Sequence, residues 1–406
     1  RNNGRRRTLG EVMQATKNTL SSVYKLGFCL IGDPAVKMAY PEFGMKVTTV
    51  NGQSVDGNSI SFKALEKITV EGEVLDASGQ LVTDFTGIVN PTVKDSKVTV
   101  TCLKNSNKDD SPAFTFTDYP NTIFIGNDSV RNGKFSFTFT VPKDISYSNL
   151  QGKMNLYAVD TESGNEAQGN FDNFIVGGTS DTAETDTIGP EIRALYLNDT
   201  TFMDGGQVNT TPYFVAELWD KSGVNITGSS VGHDMMLVID ESTVLSYNLN
   251  SYYELLPGED GTGIVKFPIP ALEPGKHTAE FWVWDILNNS TVRTFTFEVV
   301  EGLKPFLFDV IATPGIAREQ VTFHLMHNRP ESRMRVGIMV YDLAGRQLWK
   351  HEESGTSGLF ENYTVSWDLT SGGARMRPGV YIYRAAISTD NSKDATKARK
   401  FIILGE

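Results

Sequence analysis

Apolar and polar side chains alternate along most of this chain, and this period of two constrains the fold more than any other feature. Phe135, Phe137 and Phe139, for example, are separated by Ser136 and Thr138, as in a strand that buries one face. Strand-like stretches recur near residues 67–75, 153–159, 173–177, 191–197, 212–219, 235–240, 263–269, 278–285 and 292–300. Clusters of Gly, Asn, Asp and Pro separate them, which is typical of β-sandwiches. The pattern therefore predicts an all-β fold for most of the chain.

The length of 406 residues predicts about three or four domains, because compact domains have about 100–200 residues. With 39% hydrophobic and 21% charged residues, the chain has the composition of a globular protein. A linker-like stretch at 177–184 indicates a domain boundary, and about seven short strands follow Leu303. We therefore predict sandwiches over residues 42–178, 179–301 and 302–406.

Residues 1–41 follow a helical pattern instead. Thr8 and Glu11 have the spacing of a capping box, and apolar residues then recur at helical steps to about residue 22. The apolar run 26–31 comes next and is stopped by Gly32-Asp33-Pro34, which predicts a strand buried on both faces of an α/β sheet. This segment is predicted to be the closing helix and strand of an α/β domain that begins upstream.

Charge and cysteine content exclude several classes of function. The net charge of -12 opposes binding to nucleic acid, because phosphate backbones attract clustered Lys and Arg. No stretch approaches the roughly 20 uninterrupted apolar residues of a membrane-spanning helix, so no transmembrane segment is predicted. Cys29 and Cys102 are too few for a disulfide framework or a four-ligand zinc site.

Ordered motifs along the chain resemble a known family. A resemblance to the end of the caspase-like peptidase domain of the gingipain family lies in Gly32-Asp33-Pro34-Ala35 and Tyr40-Pro41. A resemblance to the immunoglobulin-like region of type IX secretion sortases of Bacteroidetes lies in Asp186–Ile192, Asp220–Asn225, Gly232-His233-Asp234 and Trp284-Asp285. The C-terminal β-sandwich that directs proteins to this secretion system is similar to Val340–Arg346, Gly379–Arg384 and Lys400–Ile403.

This resemblance implies tandem immunoglobulin-like β-sandwiches preceded by a short α/β remnant of a caspase-like domain. It implies that the parent protein is a cysteine endopeptidase at the bacterial cell surface, associated with the outer membrane. Such a sortase removes C-terminal signal domains from cargo proteins and attaches the cargo to anionic lipopolysaccharide. Its own last domain is implied to dock on an outer-membrane β-barrel.

The family's chemistry needs a Cys nucleophile activated by a His. Cys29 lies in an apolar run with no preceding His, and Cys102 alternates with Val98 and Val100 as a core residue would. No catalytic residue is therefore predicted in this chain, and the family's His and Cys are expected upstream.

The histidines and acidic residues predict no metal site. His324 and His327 are three apart in a strand, which puts them on opposite faces, and His233-Asp234 is predicted to make structural hydrogen bonds. Calcium is the alternative to having no cofactor, since carboxylate oxygens suit this cation. Its candidate ligands are Asp199, Asp204, Asp220 and Asp240.

Exposed aromatic residues are the candidate docking surface of the last sandwich. Tyr381 and Tyr383 alternate with Val380 and Ile382, so one pair faces outward unless both faces of the strand are covered. The tyrosines, together with Trp349, are predicted to be outward because flat rings with a polar tip suit interfaces.

Three functions stay open from the sequence. The chain is predicted to be a scaffold and docking region of a sortase, with its first two sandwiches as spacers and its last as the anchor. The alternative is a multi-domain glycan-binding or adhesive surface protein, since the fold alone does not decide function. A third reading is a hydrolase with paired carboxylates between domains.

Overall fold

The computed structural model describes residues 7–37, 40–104, 112–181, 186–228, 232–256, 261–389 and 392–405. Strands dominate these ranges, and the β-sandwich fold predicted from the alternation is confirmed. None of the helices in the described ranges has the length and apolarity to cross a membrane.

The predicted N-terminal helix is confirmed at Leu9–Thr19. The Thr8 hydroxyl accepts a hydrogen bond from the Glu11 amide at 3.3 Å, and the Glu11 carboxylate accepts one from the Thr8 amide at 2.9 Å. This reciprocal pair is the capping box, which satisfies amide groups that the first helical turn leaves free.

The strand predicted at 26–31 is wrong. A 3₁₀ helix at Val23–Gly27 takes up the start of the apolar run, and the rest is exposed, with Phe28 57% and Ile31 98% accessible. A strand needs hydrogen-bonding neighbours, and no described residue pairs with this run. The chain instead returns to the helix, where the Gly10 amide donates to the Pro34 carbonyl at 3.0 Å.

The described residues of the first sandwich form fourteen strands. They are β1 (Phe43–Val50), β2 (Gln53–Ser54), β3 (Ile60–Ala64), β4 (Lys67–Leu75), β5 (Gly87–Lys94), β6 (Val98–Thr101), β7 (Thr115–Asp118), β8 (Thr122–Ile125), β9 (Asp128–Arg131), β10 (Lys134–Thr140), β11 (Leu150–Gln151), β12 (Lys153–Asp160), β13 (Glu166–Phe171) and β14 (Phe174–Thr179). Nine strands form one sheet in the order β12-β13-β1-β4-β10-β9-β5-β8, with β2 beside β1. Because β12 also pairs with β5, this sheet folds back on itself. The first sandwich also contains a three-stranded sheet, β11-β14-β3, and the two-stranded ribbon β6-β7.

Phenylalanines fill the core of the first sandwich. Phe135, Phe137 and Phe139 of β10 all point inward, as their alternation predicts. The Phe124 ring stacks on the Phe139 ring with centroids 4.7 Å apart. Such pairs add to the stabilisation from burying the rings.

The second sandwich packs two sheets around its own core. Its strands are β15 (Glu191–Leu197), β16 (Gln207–Val208), β17 (Tyr213–Trp219), β18 (Met236–Ile239), β19 (Ser246–Asn248), β20 (Tyr253–Leu255), β21 (Thr262–Pro268), β22 (Gly275–Trp284) and β23 (Ser290–Val299), with a 3₁₀ helix at Asn250–Tyr252. The sheet orders are β15-β17-β21-β20 and β16-β23-β22-β18-β19. The strands β22 and β23 form a hairpin, whose ten residue pairs run from Gly275↔Val299 to Trp284↔Ser290.

The C-terminal sandwich has a third core. Its strands are β24 (Leu307–Thr313), β25 (Ile316–Ala317), β26 (Val321–His327), β27 (Met334–Tyr341), β28 (Gln347–Gly355), β29 (Tyr363–Trp367), β30 (Thr370–Ser371), β31 (Ala374–Arg375), β32 (Gly379–Ser388) and β33 (Ala395–Ile403). The sheet β24-β26-β29 faces the sheet β25-β33-β32-β27-β28, and β30 pairs with β31. The domain boundaries at 178 and 301 stay predictions.

Candidate functional site

Three carboxylates meet at one end of the second sandwich. Asp186 precedes β15, Asp220 directly follows β17, and Asp285 directly follows β22. One oxygen from each of the three lies within 4.8 Å of the others. Asp220 is 5% exposed and Asp285 is fully buried. The fold therefore gathers three negative side chains from distant parts of the sequence.

Backbone amides and one side-chain amide hold the carboxylates in place. Asp220 Oδ1 accepts from the amides of Ser222 at 2.8 Å and Gly223 at 2.9 Å. The Asn289 side-chain amide donates to Asp285 Oδ2 at 2.6 Å and to the Asp186 carbonyl at 3.1 Å. Each turn is thereby fixed by the carboxylate that begins it.

Burial and mutual repulsion set the protonation of this cluster. Burial raises the pKa of Asp220 to about 6, and the charges of Asp285 and Asp186 push it in the same direction. Burial also raises the pKa of Asp285. The Ile188 amide and the Ser222 hydroxyl lower the pKa of Asp186. Since hard cations such as Ca²⁺ take carboxylate oxygens as ligands, these are the side chains that could hold one.

Of the four candidate calcium ligands from the sequence, only Asp220 belongs to the cluster. Asp199 accepts from the Thr201 amide, Asp204 from the Thr296 amide and Asp240 from the Thr278 amide. Sequence reasoning missed Asp186 and Asp285 as members. The available signal was that all three aspartates begin turns within the segments that resemble the sortases' immunoglobulin-like region.

A cavity of about 740 Å³ lies beside the cluster, between the first and second sandwiches. Its walls include Phe124 and Ile88 on one side and Tyr253 and Leu256 on the other. The Asn127 side-chain amide spans this boundary and donates to the Leu255 carbonyl at 2.8 Å. Further packing across it comes from Ile125, which contacts the second core. The two sandwiches are thus in direct contact.

His233 lies at the same boundary, but its partner is not the neighbouring aspartate. Its Nδ1 faces the carboxylate of Asp144 from the first sandwich, and its ring lies 4.5 Å from that of Trp284. Asp234 instead accepts from the Asn250 side-chain amide at 2.7 Å. His233-Asp234 is therefore not arranged as a dyad.

Both cysteines are exposed, which corrects two expectations. Cys29 was expected in a buried strand, and that strand does not form. Cys102 was expected in a core, but it follows the end of the ribbon strand β6 and lies outside the core of the first sandwich. Among the described residues, neither thiol is hydrogen-bonded to a histidine.

The predicted docking tyrosines face inward. Tyr381 is 7% and Tyr383 2% exposed, and the Tyr383 hydroxyl donates to the Val310 carbonyl at 3.0 Å. Trp349 also packs on the core, with its ring centroid 4.4 Å from that of Trp367. The outward expectation for the tyrosines is wrong because the alternation defines two faces without saying which is covered.

The remaining motif residues form a turn near the helix. Gly32 has a φ of 133°, and Asp33 Oδ1 accepts from the Ala35 amide at 2.7 Å. Pro34 then contacts the helix through the bond to Gly10 described above. These contacts account for the shape of the turn and give its residues a structural role.

The fold and the junctions between its parts define a multi-domain β-sandwich protein whose thiols and histidines form no catalytic pair in the described residues. No protein-family model and no curated protein sequence matches the chain. It is similar to dimeric latent PorU from Porphyromonas gingivalis, with 38% sequence identity over 100% of this chain and 38% of that chain, and a TM-score of 0.42. The chain therefore belongs to the PorU family. This assignment rests on the sequence identity along the full length of the chain and not on the structural superposition.

Other solved structures are similar at much lower identity. SGBP-B of the Bacteroides ovatus mixed-linkage glucan utilization locus, in complex with a mixed-linkage heptasaccharide, is 9% identical over 89% of this chain and 71% of that chain, with a TM-score of 0.25. The FN1–FN3 domains of chicken CNTN1 are 7% identical over 89% of this chain and 98% of that chain, with a TM-score of 0.20.

Proposed function

We propose that this chain is the non-catalytic C-terminal region of a cell-surface cysteine endopeptidase of the PorU type, a sortase of type IX secretion. The observation that carries the proposal is the 38% identity to PorU along the entire chain, which spans 38% of PorU's length. The peptidase activity, the removal of C-terminal signals from cargo and the attachment of cargo to lipopolysaccharide then belong to the whole protein.

The surroundings of the two exposed thiols support a non-catalytic role for this region. An activated cysteine needs a base within hydrogen-bond reach, and the described residues offer neither Cys29 nor Cys102 such a base. The first two sandwiches, joined through Asn127 and His233, act as a spacer in this proposal. The C-terminal sandwich, which has its own core, acts as the anchor on an outer-membrane β-barrel.

Because Tyr381 and Tyr383 are buried, the proposed docking surface lies on the opposite face of β32, which carries Val380 and Ile382. Val380 is 40% and Ile382 38% exposed. Val380 lies opposite Ile402 of β33, which in turn lies opposite Ile316 of β25. These four side chains, which we term the aliphatic row, lie on the outer face of the five-stranded sheet, on three of its strands. An apolar centre of this kind is typical of protein interfaces.

Positive charges flank the aliphatic row. Lys400 lies opposite Ile382, and Arg384 is the next outward residue of β32. Within the described ranges, neither has a carboxylate partner. Residues 303–406 contain 14 Lys and Arg against 11 Asp and Glu, although the whole chain has a net charge of -12. The partner surface is therefore proposed to be apolar at its centre and acidic at its rim.

A fractionation experiment tests the function. In the bacterium that makes the parent protein, deletion of 303–406 should release the protein from the outer-membrane fraction while leaving its peptidase activity. The variant V380E/I382E should be released as well. The control I311E changes an isoleucine that is 48% exposed on β24, in the other sheet, and should stay bound.

Two results would contradict the proposal in different ways. Retention of the deletion variant in the membrane fraction would refute the anchor. Peptide cleavage by the 406-residue chain alone would refute its non-catalytic role and favour the hydrolase.

A further inference from the structure

A second surface, on the first sandwich, has a different chemistry. Strands β5, β12 and β13 lie side by side and form the floor of a shallow groove of about 620 Å³. Asn155 lies opposite Thr92 on one side and Asn170 on the other, and Tyr157 lies opposite Asn90 and Gln168. We term these six residues the amide grid. Their rows are about 6.7 Å apart along the strands, and the strands are about 4.8 Å apart.

The amide grid points to solvent because the alternate residues of β12 fill the core. Met154 and Leu156 are 0% and 2% exposed, so Asn155 and Tyr157 occupy the opposite face. The strand β12 is paired on both sides, so the groove lies on a sheet face and not at an edge. Its backbone groups are used by the sheet, and recognition falls to side chains.

Five of the six grid side chains, all except Tyr157, make no hydrogen bond within the described part of the molecule. These five are Asn90, Thr92, Asn155, Gln168 and Asn170, whose backbones pair in the sheet while their side chains stay available. Asn is depleted in strands, so strand propensity does not account for Asn90, Asn155 and Asn170 on this face. Side-chain amides each carry two donors and an acceptor with two lone pairs. The grid thus presents many donors and acceptors at regular spacing.

Tyr157 supplies a flat ring in a fixed position. Its hydroxyl donates to Glu166 Oε1 at 2.8 Å, and the residue is 38% exposed. The ring therefore has one end held by a hydrogen bond and keeps apolar area for contact. Lys153 is the one charged residue among those lining the groove in the described chain.

We propose that the amide grid binds a neutral oligosaccharide. Sugar hydroxyls are donors and acceptors at once, as amides are, and the C–H face of a sugar ring packs on an aromatic ring. A protein partner would need a larger apolar centre than this groove offers. An anionic polymer would need clustered cations, and the groove has Lys153 alone. The site is separate from the aliphatic row, and its function is independent of the anchor proposed above.

Titration calorimetry on the 406-residue chain tests this proposal, with cellohexaose and mannohexaose as neutral probes and a heparin-derived hexasaccharide as the anionic probe. At least one neutral probe should bind. Asn155→Ala and Asn170→Ala should each weaken binding about three- to tenfold, and Tyr157→Ala should weaken it further, whereas Tyr157→Phe should retain most of it. Gln347→Ala, an exposed amide on β28 of the C-terminal sandwich, is the matched control and should bind like the unchanged chain. Unchanged melting temperatures show that the variants fold.

The proposal is overturned if neither neutral probe binds at millimolar concentration, if only the anionic probe binds, or if N155A and N170A bind as tightly as Q347A.

Discussion

Asp144 of the first sandwich and His233 of the second lie 2.5 Å apart, measured from Oδ2 to Nδ1. The other oxygen of Asp144 accepts from the Asn288 side-chain amide at 2.8 Å, and the Lys143 amide donates to the Ile286 carbonyl at 2.8 Å. One short loop of the first sandwich thus contacts two loops of the second. The orientation of the two sandwiches rests in part on this contact.

A double-mutant cycle measures this contact. His233→Ala and Asp144→Ala should each lower the free energy of unfolding of the second sandwich by about 1 kcal/mol, and the double variant should lose less than the sum because the two changes remove one interaction. Urea unfolding followed by tryptophan fluorescence gives the values, since Trp219, Trp282 and Trp284 lie in that sandwich. Strict additivity would show that the pair does not couple the domains.

The same substitution should lower stability by very different amounts on the two faces of β32. Tyr383→Ser leaves a cavity in the C-terminal core and should cost about 3–5 kcal/mol. Ile382→Ser changes an outward side chain and should cost less than about 1 kcal/mol. Chemical denaturation of both variants is the measurement. Comparable losses would mean that the outer face is covered within the chain.

Asp220 should make stability depend on pH. Its folded pKa of about 6 exceeds the ordinary value of 3.8, so between these pH values the folded state holds a proton that the unfolded state has lost. The stability gained from this proton is fully present below pH 3.8 and is lost as the pH rises through about 6.

Asp220→Asn removes this dependence and still accepts the Ser222 and Gly223 amides. We therefore compare the free energies of unfolding of the variant and the unchanged protein in the presence of a chelator. The difference between them should shift in favour of the variant by on the order of 1 kcal/mol between pH 4.5 and pH 7.5, a value reduced by the carboxylate's access to the cavity. Parallel pH profiles for the two proteins would contradict the assignment. Asp128→Asn, an exposed carboxylate in the same cavity wall, is the control.

Both thiols should react in the folded protein. Cys29 and Cys102 are exposed, so an aromatic disulfide reagent should titrate two thiols per chain without denaturant. Cys29→Ser and Cys102→Ser should each remove one equivalent and leave stability unchanged. Reaction only after denaturation would show that the thiols are covered.

Local sequence patterns were sufficient for most of the long sandwich strands and for the N-terminal helix. The spacing of Thr8 and Glu11 predicted the capping box, and the phenylalanines of β10 predicted its buried face, because both depend on neighbours a few residues apart. The apolar run at 26–31 failed for the opposite reason, since a strand depends on a partner strand and the described residues supply none.

The alternation in β32 shows the same limit. It correctly placed Tyr381 and Tyr383 on one face and Val380 and Ile382 on the other. Which of the two faces is buried depends on where the other sheet packs. Placing β24, β26 and β29 over the tyrosines exposes the aliphatic row. The outward orientation of the tyrosines was predicted wrongly because large amphipathic rings are suited to a core as much as to an interface.

The amino-acid sequence by itself determined most of the long strands of the sandwiches, which residues share a face, and how the chain is related to a known protein, because these properties are local or linear. Only the tertiary structure decided that Asp186, Asp220 and Asp285 meet, that His233 contacts Asp144, and that Asn155 lies between Thr92 and Asn170. Each of these contacts joins residues far apart in sequence. Their distances follow from sheet register and domain packing, which no short pattern encodes.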